Sequence, residues 1–125
     1  MVELFLSSDV PDTDLIVRLT KVDARGRSIK LADGVLDVKF RQGFDRQVFM
    51  RPGEVYRVKL GTTKVSVRFH RGERLRLTIT SGAKNLAFPN SGTEEGYLGT
   101  ACRKANHTIH HGGIYPSRLV LRREI

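Results

Sequence analysis

An all-β sandwich is the fold class that this sequence predicts, on three observations. Leu75, Leu77 and Ile79 alternate with Arg74, Arg76, Thr78 and Thr80, a period of two that sends the apolar row to one face of a strand and the arginines to the other. Short segments of this kind recur between turn signals about every eight to twelve residues, the spacing of sandwiches and barrels. Helical periodicity never persists over a dozen residues or so. A sheet with one dry face must bury it, and with no helix to cover it the covering layer is a second sheet.

The elements follow in order. Val2-Glu3-Leu4-Phe5-Leu6 reads as the first strand, closed by Ser7-Ser8-Asp9 and the breaker Pro11-Asp12-Thr13-Asp14. Leu15 to Val22 is the second, with Leu15, Val17, Leu19 and Lys21 on one face and Ile16 and Val22 on the other. Ala24-Arg25-Gly26-Arg27 offers a turn, and Ser28 to Leu31 a short strand. Asp33-Gly34 is the strongest hairpin signal in the chain and predicts a tight turn before Val35 to Phe40. Gln47 to Met50 reads as a short strand, Pro52-Gly53 as a type II turn, and Glu54 to Leu60 as a strand facing Tyr56, Val58 and Leu60 one way. Lys64 to Phe69 reads as a further strand, leading through the Arg71-Gly72 turn into the Arg74 strand. Gly82 to Gly99 has little periodicity, as a crossing or functional loop does. Asn106 to His110 and Pro116 to Leu121 close the chain as strands.

A chain of 125 residues is one domain with a single core. It contains no apolar run near the ~18 residues of a membrane span, and Met1 to Leu6 lacks the basic region and cleavage site of a signal peptide. A single cysteine, Cys102, excludes an internal disulfide. The expectation is a soluble, cytoplasmic protein without membrane contact. The net charge of +9 attracts nucleic acid non-specifically. Dedicated binders cluster that charge and interleave aromatics, whereas here the arginines run from Arg18 to Arg123 and Trp is absent; the pattern argues against a nucleic-acid partner.

Nothing in the sequence assembles a complete active site. His107, His110 and His111 lie near Cys102, Glu94 and Glu95, but a strand would point His107 and His111 one way and His110 the other, which spoils a tetrahedral metal site. No G-x-S-x-G elbow is present, and no glycine-rich loop opens a helix onto a phosphate. No cofactor is implied.

Five stretches taken in order carry a resemblance: Val2-Glu3-Leu4-Phe5-Leu6-Ser7-Ser8-Asp9 through Asp12-Thr13-Asp14; Leu31-Ala32-Asp33-Gly34-Val35-Leu36 after a Gly-Arg turn; Pro52-Gly53-Glu54-Val55-Tyr56; Phe69-x-x-Gly72-x-Arg74-Leu75-Arg76-Leu77-x-Ile79-x-Ser81; and Thr108-Ile109-x-His111 with Pro116-Ser117-Arg118-Leu119-Val120-Leu121. Together they are similar to the C-terminal, non-catalytic domain of X-prolyl dipeptidyl-peptidase and cocaine-esterase-like (CocE/NonD) hydrolases. The chain departs from that pattern at Glu73, where the family usually has His, at Gly61, in place of an aromatic residue, and at His111-Gly112-Gly113-Ile114-Tyr115, in place of a His-Asp-Pro-Glu-His run. The loop before Phe88-Pro89 is also a little longer.

The resemblance implies a galactose-binding-like jelly roll over residues 1–125 that lacks the family's opening strand, and no catalysis by this domain, because the Ser-Asp-His triad belongs to a separate α/β-hydrolase domain. That domain is the implied partner, with the jelly roll walling its cleft or supporting an oligomer. An edge exposed by the missing strand implies self-association of the isolated domain. The residues expected to matter are architectural or interfacial: Asp12, Asp14, Asp33, Gly34, Gly72, Arg74, His111, Pro116 and Ser117. The rival reading is a free-standing binding module for carbohydrate or protein using the Gly82 to Gly99 loop, although scarce Tyr and absent Trp make a poor sugar platform. An unfamiliar enzyme site around His107 and His111 is a further rival.

Overall fold

The computed structural model describes residues 1–82 and 90–123. Among the described residues seven strands form two antiparallel sheets: β1 (Val2–Ser8), β2 (Asp14–Val22), β3 (Ser28–Asp37), β4 (Tyr56–Leu60), β5 (Arg74–Thr80), β6 (His107–His110) and β7 (Arg118–Leu119). One sheet has the order β4-β1-β6, with β7 also on β1; the other has the order β3-β2-β5. The two strands richest in inward apolar residues, β1 and β2, are central in their sheets, where both neighbours help to exclude water. Val2, Leu4 and Leu6 from β1 meet Leu15 and Val17 from β2 in one core with Val38, Met50, Val58 and Leu60. Each such fully buried side chain stabilises the fold by about 1.5–3 kcal/mol.

The alternations in β4 and β5 point as the sequence predicts. Val58 and Leu60 are buried while Arg57 and Lys59 face water, and Leu77 and Ile79 pack onto the core. The Pro52-Gly53 and Arg71-Gly72 turns both close with a bond from the fourth residue to the first, Glu54 N–H to Arg51 O at 3.2 Å and Glu73 N–H to His70 O at 3.0 Å. Gly53 and Gly72 take φ of +78° and +87°, values that side-chain-bearing residues adopt only with strain.

Four expectations are corrected. Asp33-Gly34 makes no hairpin: Ser28–Leu31 and Val35–Asp37 belong to one continuous strand, with Asp33 opposite Arg18 and Gly34 opposite Val17. Asp33 there accepts a charge-assisted bond from Arg18 and pairs with Lys30. Gly34 is needed for space, since a Cβ on it would lie 2.2 Å from the Gly61 carbonyl oxygen. The hairpin lies instead at Asp23–Arg27, where the Asp23 carboxylate accepts the main-chain N–H groups of Arg25 and Arg27 at 2.9 and 2.8 Å. Val38–Phe40 is a 3-10 turn rather than strand. Residues 47–50 form no ladder and are held by single bonds, Val48 N–H to Lys39 O and Met50 N–H to Pro11 O. Residues 64–69 pair with no strand among the described residues. Part of the Gly82 to Gly99 loop, residues 83–89 with Phe88-Pro89, lies outside the described residues; its later part contains the 3-10 turn Gly96–Leu98.

Candidate functional site

The chain crosses from one sheet to the other between β1 and β2, and a buried polar cluster sits at that crossing. Asp12 is 0% exposed. Its Oδ1 accepts the Lys39 main-chain N–H at 3.0 Å, and its Oδ2 accepts the Asn90 side-chain amide at 3.0 Å. Asn90 also donates to Asp14 at 3.2 Å. The Lys39 ammonium, on a side chain only 6% exposed, lies 3.6 Å from Asp12 and 3.4 Å from Asp37. A Cβ at Gly96 would come within 2.6 Å of that ammonium, so the late loop closes over it through a residue without a side chain.

Lys39 thus supplies the positive charge that buried carboxylates require, and it stands where a bound cation would otherwise have to sit. No group of three or more His, Cys, Asp or Glu able to hold a metal occurs among the described residues. Burial, then the hydrogen bond and charge of Asp12, push Asp37 up to about 7; burial likewise raises Asp14. The cluster ties the β1–β2 crossing, the end of β3 and the late loop into one unit.

A second arrangement lies on the outer face of the first sheet. Glu3 is buried between Arg57 and Arg118 and bonds both, with the Arg57 bond chiefly responsible for holding its carboxyl below the usual range. Phe5 and His110 each pack against Tyr115, at 5.7 and 5.4 Å between ring centres. Ser117 accepts the Phe5 main-chain N–H at 2.9 Å and donates to the His110 carbonyl, pinning the Pro116 turn to β1 and β6.

Two serine–histidine pairs occur, Ser7 with His110 and Ser8 with His107, each at 2.8 Å. Neither is a nucleophile–base dyad in working form. Among the described residues no carboxylate bonds either imidazole, and Ser8 is buried and also accepts the Val10 N–H. A triad needs the third group to orient its base. These pairs are cross-strand pins between β1 and β6.

The nine residues singled out from the sequence do not converge. Asp12 and Asp14 share the buried cluster, while Asp33 and Gly34 lie mid-β3. Gly72 and Arg74 enter β5, His111 is exposed just after β6, and Ser117 anchors β7. The sequence reading missed Asp37, Lys39, Asn90 and Glu3. The only signal for Lys39 and Glu3 was a charge set inside an apolar run.

The profile of the X-Pro dipeptidyl-peptidase C-terminal non-catalytic domain matches residues 1–120. The chain belongs to this family. Within it, the cocaine esterase of Rhodococcus sp. (strain MB1 Bresler) is 31% identical over 122 residues, which covers 94% of this chain and 21% of the esterase. Among solved structures, an aminopeptidase from a marine sediment archaeon, Thaumarchaeota archaeon, superposes with a TM-score of 0.81 at 23% identity, over 93% of this chain and 21% of that one. A CocE/NonD family hydrolase from Staphylococcus aureus gives 0.71 at 20% identity, over 93% of this chain and 26% of that one. This family domain therefore spans about a fifth of the curated relative it matches. The relatives are larger hydrolases, and the part they share with this chain is non-catalytic by the family's description. No helix among the described residues is long and apolar enough to cross a membrane.

Proposed function

We propose that this domain serves a serine hydrolase of the X-prolyl dipeptidyl-peptidase or esterase type, packing against its α/β-hydrolase domain and walling the substrate cleft or supporting the oligomer. The observation that carries the reading is the family match over residues 1–120, combined with relatives in which the matched region is only a fifth of an esterase. Self-association of the isolated domain belongs to the same proposal, because a surface built to be covered by a partner domain is open without it.

The reading frame upstream of the Met1 codon tests it. A frame that continues for several hundred codons and contains G-x-S-x-G is expected. A stop codon close upstream with a ribosome-binding site would overturn it and favour the free-standing binding module.

A further inference from the structure

The β3-β2-β5 sheet has two edges, and they are treated differently. Along β3, Thr63 covers the edge at one position, Asp33: its N–H donates to the Asp33 carbonyl at 3.0 Å, and its hydroxyl accepts the Asp33 N–H at 3.4 Å. Along β5, the outer side pairs with no strand among the described residues. Its inward row, Leu75, Leu77 and Ile79, is only half-buried, although the matching inward row of β1 is sealed from water. Leu77 and Ile79 pack onto the core from one side, and no strand among the described residues covers the row on the outer side. A hollow of about 330 Å³ lies at the start of β5, lined by Val22 of β2 with Arg74, Leu75, Arg76 and Leu77.

The charge along this edge is mainly positive, since Glu73 at the entry to β5 is engaged by Lys21 at 3.5 Å. Arg74 and Arg76 form no ion pair among the described residues, and the hollow has no acidic lining. The segment leading to β5 brings Lys64, Arg68 and Arg71 without an acid among residues 61–72. It also carries Val65, Val67 and Phe69 at 47%, 38% and 39% exposure. Arginines on an edge strand commonly serve to repel unwanted pairing. That explains the outward row but not the uncovered leucine row beside it.

We propose that the free edge of β5 docks an extended segment alternating apolar and acidic side chains, which adds to the sheet as a fourth strand. Strand addition supplies main-chain hydrogen bonds, while side chains on alternate positions select the partner. With neighbouring strands about 4.8 Å apart, the segment's apolar side chains continue the Leu75-Leu77-Ile79 row outward from the edge. Its carboxylates fall beside Arg74 and Arg76, as favourable cross-strand pairs do. The inference rests on the accessory-domain reading only for where that segment resides, namely in the hydrolase partner. A second copy of this chain is the competing occupant, and it is disfavoured because two basic edges and a charge of +9 on each copy would be brought together.

The test titrates the isotope-labelled chain, watched by amide NMR, with a short capped Val-Glu repeat peptide and with its Val-Lys counterpart. The Val-Glu peptide is expected to shift amides of residues 74–80 and to slow their hydrogen exchange by about ten-fold or more at saturation. Its dissociation constant should rise about five-fold or more as ionic strength goes from about 0.05 to about 0.5 M. The Val-Lys peptide should leave these amides unmoved. Arg74→Ser with Arg76→Ser, changes on the outward face that spare the core, should abolish the preference for Glu over Lys. Equal binding of both peptides, perturbation confined to other strands, or no perturbation at millimolar Val-Glu peptide would overturn the proposal. So would light scattering that shows the chain dimerising through β5 without peptide. A chain that fails this titration yet still complexes with a hydrolase domain would overturn this inference alone.

Discussion

Burial makes Asp37 the residue most sensitive to pH near neutrality. Its value of about 7 in the folded domain lies above the ordinary 3.8, so the folded state holds this proton more tightly than the unfolded chain. The stability it contributes is fully present below about pH 4 and is lost as pH rises through about 7. His107 acts oppositely: burial lowers its value, so its contribution is present above about pH 6.5 and falls away in acid. Comparing wild type with Asp37→Asn cancels the histidine. The stability advantage of wild type over Asp37→Asn should shrink steadily between about pH 5 and pH 8, read by urea denaturation; a difference independent of pH would refute the assignment. Asp9, Asp23, Asp33 and Glu73 have values lowered by their hydrogen bonds, and they take stability away only on acidification below about pH 4.

Two glycines separate space from conformation. Gly34→Ala forces a Cβ against the Gly61 carbonyl and should cost about 2 kcal/mol or more, because backbone on both sides must yield. Gly61→Ala meets nothing within 4 Å and should change stability by no more than about 0.5 kcal/mol. Chemical denaturation of the pair decides this; equal losses would show that the contact is not tight.

At the scale of elements, the staple formed by Asp12, Asp37 and Lys39 should matter more than the surface arginine pairs. Lys39→Met removes the buried cation and should cost about 3–5 kcal/mol near pH 8, where the carboxylates it faces would otherwise be charged. Arg18→Ala at the exposed Asp33 pair should cost at most about 1 kcal/mol. The contrast is measurable in the same urea series, and comparable losses would mean that Lys39 is not the cluster's counter-charge.

Element by element, the sequence was legible where one face is dry. The Leu-x-Leu-x-Ile row of β5 and the Tyr-x-Val-x-Leu row of β4 declare strand and facing together. It misled at Asp33-Gly34, because the dipeptide that favours a tight turn also serves when Asp pairs with a cross-strand Arg and Gly admits another backbone. Residues 64–69 alternate like a strand, yet no described strand lies beside them to pair. The buried cluster was hidden for another reason: Asp12, the Asp37–Lys39 pair and Asn90 are far apart in sequence, and only the crossing between sheets brings them together.

Across the whole molecule, two sheets back to back form a domain whose polar chemistry is spent on holding itself together. Glu3 is locked by two arginines, the buried carboxylates by Lys39, and the serine–histidine pairs pin strands. The basic outer side of β5 pairs with no strand among the described residues, which suits the proposal of a domain that works by being covered.

The most direct test of that account is turnover of an X-Pro p-nitroanilide and a phenyl ester by the α/β-hydrolase module that the proposal expects as partner, measured with the chain present and absent. The account predicts no turnover by this chain alone. It also predicts that the module loses about ten-fold or more in kcat/KM without the chain, as misplacement of a cleft wall by about an ångström would cause. Turnover by the chain alone that disappears in His111→Ala would contradict it, as would a module equally active without the chain.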